Sequence, residues 1–71
     1  MPTQIVMDRS GDTRHEFDAA DLARAEERFR ELTQRGYIAV ALGKDGAENR
    51  LLRSFDPEVE RTLFIPQLEG G

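Results

Sequence analysis

The sequence predicts a small α+β domain in which one helix covers a mixed β-sheet of four to five strands. Three observations support this class. The chain has 71 residues, a length typical of one domain. A single long segment combines helical periodicity with an absence of Gly and Pro. The other segments are short, rich in β-forming residues and separated by turn residues. The predicted order of elements is ββαβββ.

The first two strands are predicted from two short segments on either side of a turn. Residues 3–8 alternate, with Ile5 and Met7 on one face and Val6 on the other. The turn that follows contains Ser-Gly-Asp, in which Gly can adopt positive φ. Residues 13–17 then alternate polar and apolar side chains. Together these segments predict an opening hairpin.

Residues 19–35 predict an amphipathic helix that lies on a flat surface. Asp18 is a favourable N-cap residue, and Gly36 stands where a left-handed residue ends many helices. Between these ends, one narrow stripe of apolar residues recurs at helical spacing: Leu22, Ala25, Phe29 and Leu32. We therefore expect one face of the helix to be buried against the sheet.

Three further strands are predicted after the helix. Residues 37–42 are rich in β-forming residues, and residues 50–55 are their partner across a Gly-Lys-Asp-Gly turn. A second turn at 56–58 leads to the last strand at 62–65. This order fits a β-grasp sheet, in which the first and last strands are parallel neighbours in the middle. A small α+β sandwich with other strand pairing is the alternative.

The alternation within the strands predicts which side chains face the helix. The large residues of segment 37–42 share one face. We expect that face, together with alternate residues of the first and last strands, to form the core: Ile5, Met7, Ile38, Val40, Leu42, Leu63 and Ile65. The opposite face of the sheet then carries Val6, Ala39, Ala41 and Phe64. Because contiguous exposed apolar residues mark partner sites, these four predict a partner-binding surface. Coverage of some of them by the neighbouring loops is the alternative.

Composition argues against several classes of function. The net charge of −4 disfavours nucleic-acid binding, which depends on Lys and Arg. The chain has no Cys and a single His, His15, so His15 has no Cys or second His with which to bind a metal or activate a nucleophile. No apolar run approaches the roughly 20 residues of a membrane span. We expect a cytoplasmic monomer that is not an enzyme and binds no cofactor, metal, nucleic acid or membrane.

The last ten residues read Thr-Leu-Phe-Ile-Pro-Gln-Leu-Glu-Gly-Gly. Strand pairing should end near Pro66, because proline has no N–H to donate. Together with the element order and the chain length, this ending resembles the ubiquitin-like family, whose tails place Leu two residues before a terminal Gly-Gly. Leu68, Gly70 and Gly71 match that pattern.

The resemblance implies a ubiquitin-like β-grasp domain at residues 1–66 and a flexible tail at 67–71. It also implies that enzymes recognise the tail through Gln67, Leu68 and Glu69. Ubiquitin carries arginines where this tail has Gln67 and Glu69. We therefore expect a dedicated reader rather than an enzyme that reads ubiquitin.

The resemblance further implies that an E1-like enzyme activates the carboxylate of Gly71 with ATP for transfer to a target amine, with E2-like or protease partners. Gly70 and Gly71 are thin enough to enter a narrow channel. Lys44, the only lysine, is the possible acceptor for a second copy. Two alternatives stay open: a sulfur carrier with a C-terminal thiocarboxylate, and a non-covalent adaptor with an unreactive tail.

Overall fold

One α-helix packs on a mixed five-stranded sheet in the computed structural model of the chain, which describes residues 2–8, 10–43 and 49–67. Within those residues the elements are β1 (Thr3–Asp8), β2 (Gly11–Glu16), a 3-10 turn (Ala19–Asp21), α1 (Leu22–Gln34), β3 (Tyr37–Ala41), β4 (Arg50–Leu52) and β5 (Arg61–Pro66). The α+β class and the ββαβββ order predicted from the sequence are confirmed.

The strands lie in the order β2-β1-β5-β3-β4. The two central strands, β1 and β5, run parallel, with Ile5 opposite Leu63 and Val6 opposite Phe64. Every other pair in the sheet is antiparallel. The expectation that the first and last strands are parallel neighbours in the middle of the sheet is therefore confirmed. Strand β5 ends at Pro66, where the sequence predicts the end of pairing.

The helix begins and ends close to the predicted residues. The Oδ1 atom of Asp18 accepts a 3.0 Å hydrogen bond from the N–H of Ala20, which caps the 3-10 turn that leads into α1. After Gln34 the chain leaves the helix through Gly36, whose φ of +98° favours glycine. No helix in the described part of the chain is long and apolar enough to cross a membrane.

The hydrophobic core lies between α1 and one face of the sheet. Its centre is Phe64 of β5, which is fully buried and meets Phe29 of α1 edge to face, with ring centroids 5.6 Å apart. Phe55 packs on Phe29 and Phe17, with centroid distances of 6.1 and 6.0 Å. Because Phe55 turns into the core, β4 ends at Leu52 instead of continuing to residue 55 as predicted.

The predicted assignment of the two sheet faces is wrong. Val6, Ala39, Ala41 and Phe64, expected on the open face, are all buried. A period of two groups the residues of a strand into two faces without saying which face meets the helix. Here Ala39 of β3 lies opposite Phe64 in the core cluster, where its small side chain leaves room for the aromatic rings. These four residues therefore form no exposed partner-binding surface.

A polar side chain that is buried on the same side of the sheet joins β1 to α1. Gln4 of β1 is 0% exposed. Its Nε2 donates to the carbonyl oxygen of Ala25, and its Oε1 accepts from Nη1 of Arg28, both at 2.9 Å. A buried amide costs free energy unless its hydrogen bonds are made, and here both ends are bonded. Gln4 therefore links the first strand to the helix.

Candidate functional site

The sheet face opposite α1 carries a continuous apolar surface. Four strands contribute one side chain each to a row that crosses the sheet: Ile5, Leu63, Val40 and Leu51. A second row joins Ile65 to Ile38, with Met7 on the neighbouring strand β1. We call these seven residues the outer sheet face. Its most accessible members are Leu51 at 68% exposure and Met7 and Ile65 at 38% each.

Charged residues of the edge strand β2 border the outer sheet face. Arg14 lies opposite Ile5, and Asp12 lies opposite Met7. Both charged residues are exposed. An apolar centre with a charged rim is the usual composition of a protein–protein interface. The outer sheet face therefore has the composition of a docking surface, although none of its members is among the four residues predicted for that role.

A groove lies where β1 and β5 end and β3 begins. It has a volume of about 770 Å3. Its apolar walls are Met7, Tyr37, Ile65 and Pro66, and Asp8 and Gln67 also line it. We call it the root groove, because Gln67 is the last described residue before the end of the chain. Met7 and Ile65 belong to both surfaces, so the root groove continues the outer sheet face toward the tail.

Asp8 places an ordered carboxylate at the root groove. Its Oδ1 atom accepts hydrogen bonds from the N–H of Ser10 at 2.8 Å and from the hydroxyl of Ser10 at 2.6 Å. The side-chain bond from Ser10, followed by the backbone bond, lowers the pKa of Asp8 below its ordinary value. The carboxylate is therefore ionised at neutral pH and held in one orientation.

The predicted tail residues are only partly visible. Gln67 is exposed at the root groove. Leu68, Glu69, Gly70 and Gly71 lie outside the described residues, and so does Lys44. Of the predicted tail, the structure therefore describes only the start, at Gln67, which directly follows the end of β5.

His15 lies on β2 and is half-buried. It lines a small cleft with Phe17, Arg24, Ala25 and Arg28. Burial, and then the charge of Arg28, lowers the pKa of His15. Within the described ranges, no group of three or more His, Cys, Asp or Glu residues could hold a metal ion.

Sequence reasoning missed the outer sheet face because it assigned six of its seven members to the core and gave Leu51 no face. One local signal pointed the other way. Phe64 has the largest side chain of β5, and its burial removes more apolar area from water than that of Leu63 or Ile65. Weighting the faces by the area of their largest residue would have placed Phe64 under the helix and exposed its two neighbours.

Comparison with known proteins adds no further assignment. No protein-family model matches the chain, and neither the curated proteins nor the solved structures contain a significant match. Functional interpretation therefore rests on the residues and their geometry.

Proposed function

We propose that this chain is a ubiquitin-like protein with a β-grasp fold, whose Gly71 carboxylate is activated by an E1-like enzyme and transferred to a target amine. The observation that carries the proposal is the position of β5. This strand lies in the middle of the sheet beside β1, runs parallel to it and ends at Pro66. Pairing therefore ends five residues before Gly71, and the sequence after Gln67 reads Leu-Glu-Gly-Gly.

The chemistry needs no catalytic group from this chain. ATP converts the carboxylate of Gly71 into an acyl-adenylate and releases pyrophosphate. A cysteine thiolate of the enzyme then attacks the carbonyl carbon, and AMP leaves. The amine of a target lysine displaces that thiolate, forms the isopeptide bond and gives up a proton. The partner enzymes supply the bases and the thiolate, while this chain supplies the acyl carbon and a surface to recognise.

A sulfur carrier would share the first step. Sulfide would attack the carbonyl carbon of the adenylate in place of the enzyme's thiolate, AMP would leave, and Gly71 would carry a thiocarboxylate. The two fates are distinguished by the product, since one adds a protein to Gly71 and the other replaces an oxygen atom with sulfur. Both fates place the protein in the cytoplasm, where ATP and the activating enzyme are present.

Mass spectrometry of the C-terminus tests the proposal. Purified protein is incubated with MgATP and an extract of its native host. We expect ATP-dependent peptides in which Gly71 is joined to a lysine of another protein, and none when Gly70 and Gly71 are deleted. A thiocarboxylate on Gly71 would instead support sulfur transfer. An unchanged carboxylate under all conditions would contradict both fates.

The outer sheet face favours a second candidate, a non-covalent adaptor. Its seven apolar residues lie opposite the helix, and at least three of them are substantially exposed. Complementation of a strain that lacks the gene separates the candidates. If Leu51→Glu abolishes complementation and deletion of Gly70 and Gly71 does not, the adaptor is correct. If the deletion abolishes complementation, the reactive tail is required.

A further inference from the structure

We propose, resting on the function above, that the root groove is the surface by which the activating enzyme selects this chain. The enzyme inserts an apolar side chain between Met7, Ile65 and Pro66, and it pairs a cation with the carboxylate of Asp8. This assignment names the contact surface on the folded body and the chemistry that its partner must offer.

The root groove lies close to the point where the tail begins, so an enzyme that binds the tail is near it. Pro66 and Gln67 both line the groove. The sequence places Gly71 four residues after Gln67. Four fully extended residues span at most about 14 Å. An enzyme whose ATP site contains the carboxylate of Gly71 therefore approaches to about that distance from Gln67, a residue that lines the groove.

The walls of the root groove suit an apolar anchor. Met7 and Ile65 are each 38% exposed, although both are large apolar residues. Tyr37 lies opposite Pro66 in the β3–β5 pair, so these two residues form the wall at the end of the sheet. Interfaces derive most of their affinity from a few apolar or aromatic side chains that enter such pockets.

The charge of this region calls for a basic partner. The carboxylate of Asp8 is exposed and is held by two hydrogen bonds from Ser10. Such an ordered group loses little conformational entropy when it pairs with a cation. Residues 62–71 contain Glu69 and no Lys or Arg. Among the described residues that line the root groove, Asp8 is the charged one, and its charge is negative, which favours a cationic group on the enzyme.

A competition experiment tests the role of Asp8. Equal amounts of 15N-labelled wild-type protein and an unlabelled variant are mixed with MgATP, hydroxylamine and native host extract. Hydroxylamine attacks the activated carbonyl of Gly71, forms a C–N bond and loses a proton, while AMP or the enzyme's thiolate leaves. The ratio of the two Gly71 hydroxamates, read by intact mass, gives the ratio of kcat/KM for activation.

We expect Asp8→Lys to lower this ratio about tenfold, because reversal of an interfacial charge replaces attraction by repulsion. Asp8→Asn should lower it about threefold, the effect of losing an exposed ion pair. Glu27→Lys is the matched control, since Glu27 is exposed on α1 and the change in net charge is the same. The control should change the ratio by less than about twofold.

The outcomes separate the two proposals. If wild-type protein forms the hydroxamate and Asp8→Lys competes as well as Glu27→Lys, the root groove is not the selecting surface, and the proposed function stands. If wild-type protein forms no ATP-dependent hydroxamate, both proposals fail. In reactions with one protein at a time, saturating concentrations should restore the rate of Asp8→Lys, because the defect lies in binding.

An apolar pair of variants distinguishes the root groove from the rest of the outer sheet face. Met7→Ala should lower the ratio about fivefold, the effect expected for loss of a contact that anchors an interface. Leu51→Ala should lower it less, because β4 lies three strands away from β1 in the sheet. Equal losses for the two variants would assign the enzyme contact to the whole outer sheet face and would overturn the assignment to the groove.

Discussion

The side-chain Nε2 of Gln4 in β1 donates a 2.9 Å hydrogen bond to the backbone carbonyl of Ala25 in α1. The same side chain accepts a hydrogen bond from Arg28, one helical turn further along. Gln4 is thus bonded at both ends while it is fully buried. This link fixes the position of the helix along the central strand more specifically than apolar packing does.

Gln4→Leu should destabilise the fold, because it removes both hydrogen bonds and leaves Arg28 without its buried partner. We expect a loss of about 1–3 kcal/mol in the free energy of unfolding, measured by urea denaturation followed by circular dichroism. Gln34→Leu, at the exposed end of α1, is the control and should change stability by less than about 0.5 kcal/mol. Equal stability of Gln4→Leu and wild type would show that the link contributes nothing.

Substitutions on the two faces of β5 and β4 test the orientation of the sheet. Phe64→Ala should cost about 3–5 kcal/mol, a large part of the total stability of so small a domain. Phe64→Leu should cost about 1 kcal/mol and keep the protein folded for measurement. Leu51→Ala, at a residue that is 68% exposed, should cost less than about 0.5 kcal/mol. The reverse order of urea midpoints would restore the face assignment made from the sequence.

Gly36 should tolerate D-alanine better than L-alanine. Its φ of +98° is strained for an L-residue, while no atom lies within 4 Å of a Cβ placed there. Gly36→Ala should therefore cost about 1–2 kcal/mol through backbone strain alone. A synthetic chain with D-alanine at this position should be at least as stable as wild type in thermal unfolding. Equal losses for the two alanines would mean that crowding, rather than φ, determines the cost.

His15 should make the fold less stable in mild acid. Its folded-state pKa lies below the ordinary value of 6.5, chiefly because burial disfavours the charged imidazole and secondarily because Arg28 repels it. The unfolded chain therefore binds the proton more readily. The contribution of neutral His15 is complete above the unfolded pKa and is lost as the pH falls through the folded pKa.

Two measurements check this behaviour. Because the chain has one histidine, NMR titration of its ring gives the pKa directly. We expect a pKa below 6.5 that rises in Arg28→Gln without reaching the ordinary value, since burial is the larger cause. His15→Gln should lose less stability than wild type between neutral pH and about pH 5. An unshifted pKa in wild type would contradict the prediction.

Helix α1 could be predicted almost completely because its signals are local. Asp18 caps the start of the helical segment, and Gly36 follows its end. The apolar stripe of Ala25, Phe29 and Leu32 repeats at intervals of about one helical turn. The adjacency of β1 and β5 could also be anticipated, because few arrangements allow one helix to cover a sheet built in this order. The hydrogen bonds of Gln4 could not, since they join residues 21 and 24 positions apart.

The root groove was also beyond sequence reasoning. Met7, Tyr37 and Pro66 come from three different strands and meet only because the sheet places β1, β5 and β3 side by side. Asp8 was predicted as the end of the first strand, but its position at the groove depends on where β1 ends beside β5. To predict a site formed by strand ends, one must therefore know the pairing register of the strands as well as the residue types.

The sequence by itself determined the element order, the helix with its ends, and the chemical character of the chain: no cysteine, one lysine and a Gly-Gly ending. Only the tertiary structure decided which face of the sheet meets the helix. Alternation with a period of two is symmetric between the faces, so it cannot distinguish Phe64 from Ile65. Packing breaks that symmetry, because the ring of Phe64 meets that of Phe29 edge to face and leaves the outer sheet face uncovered by the helix.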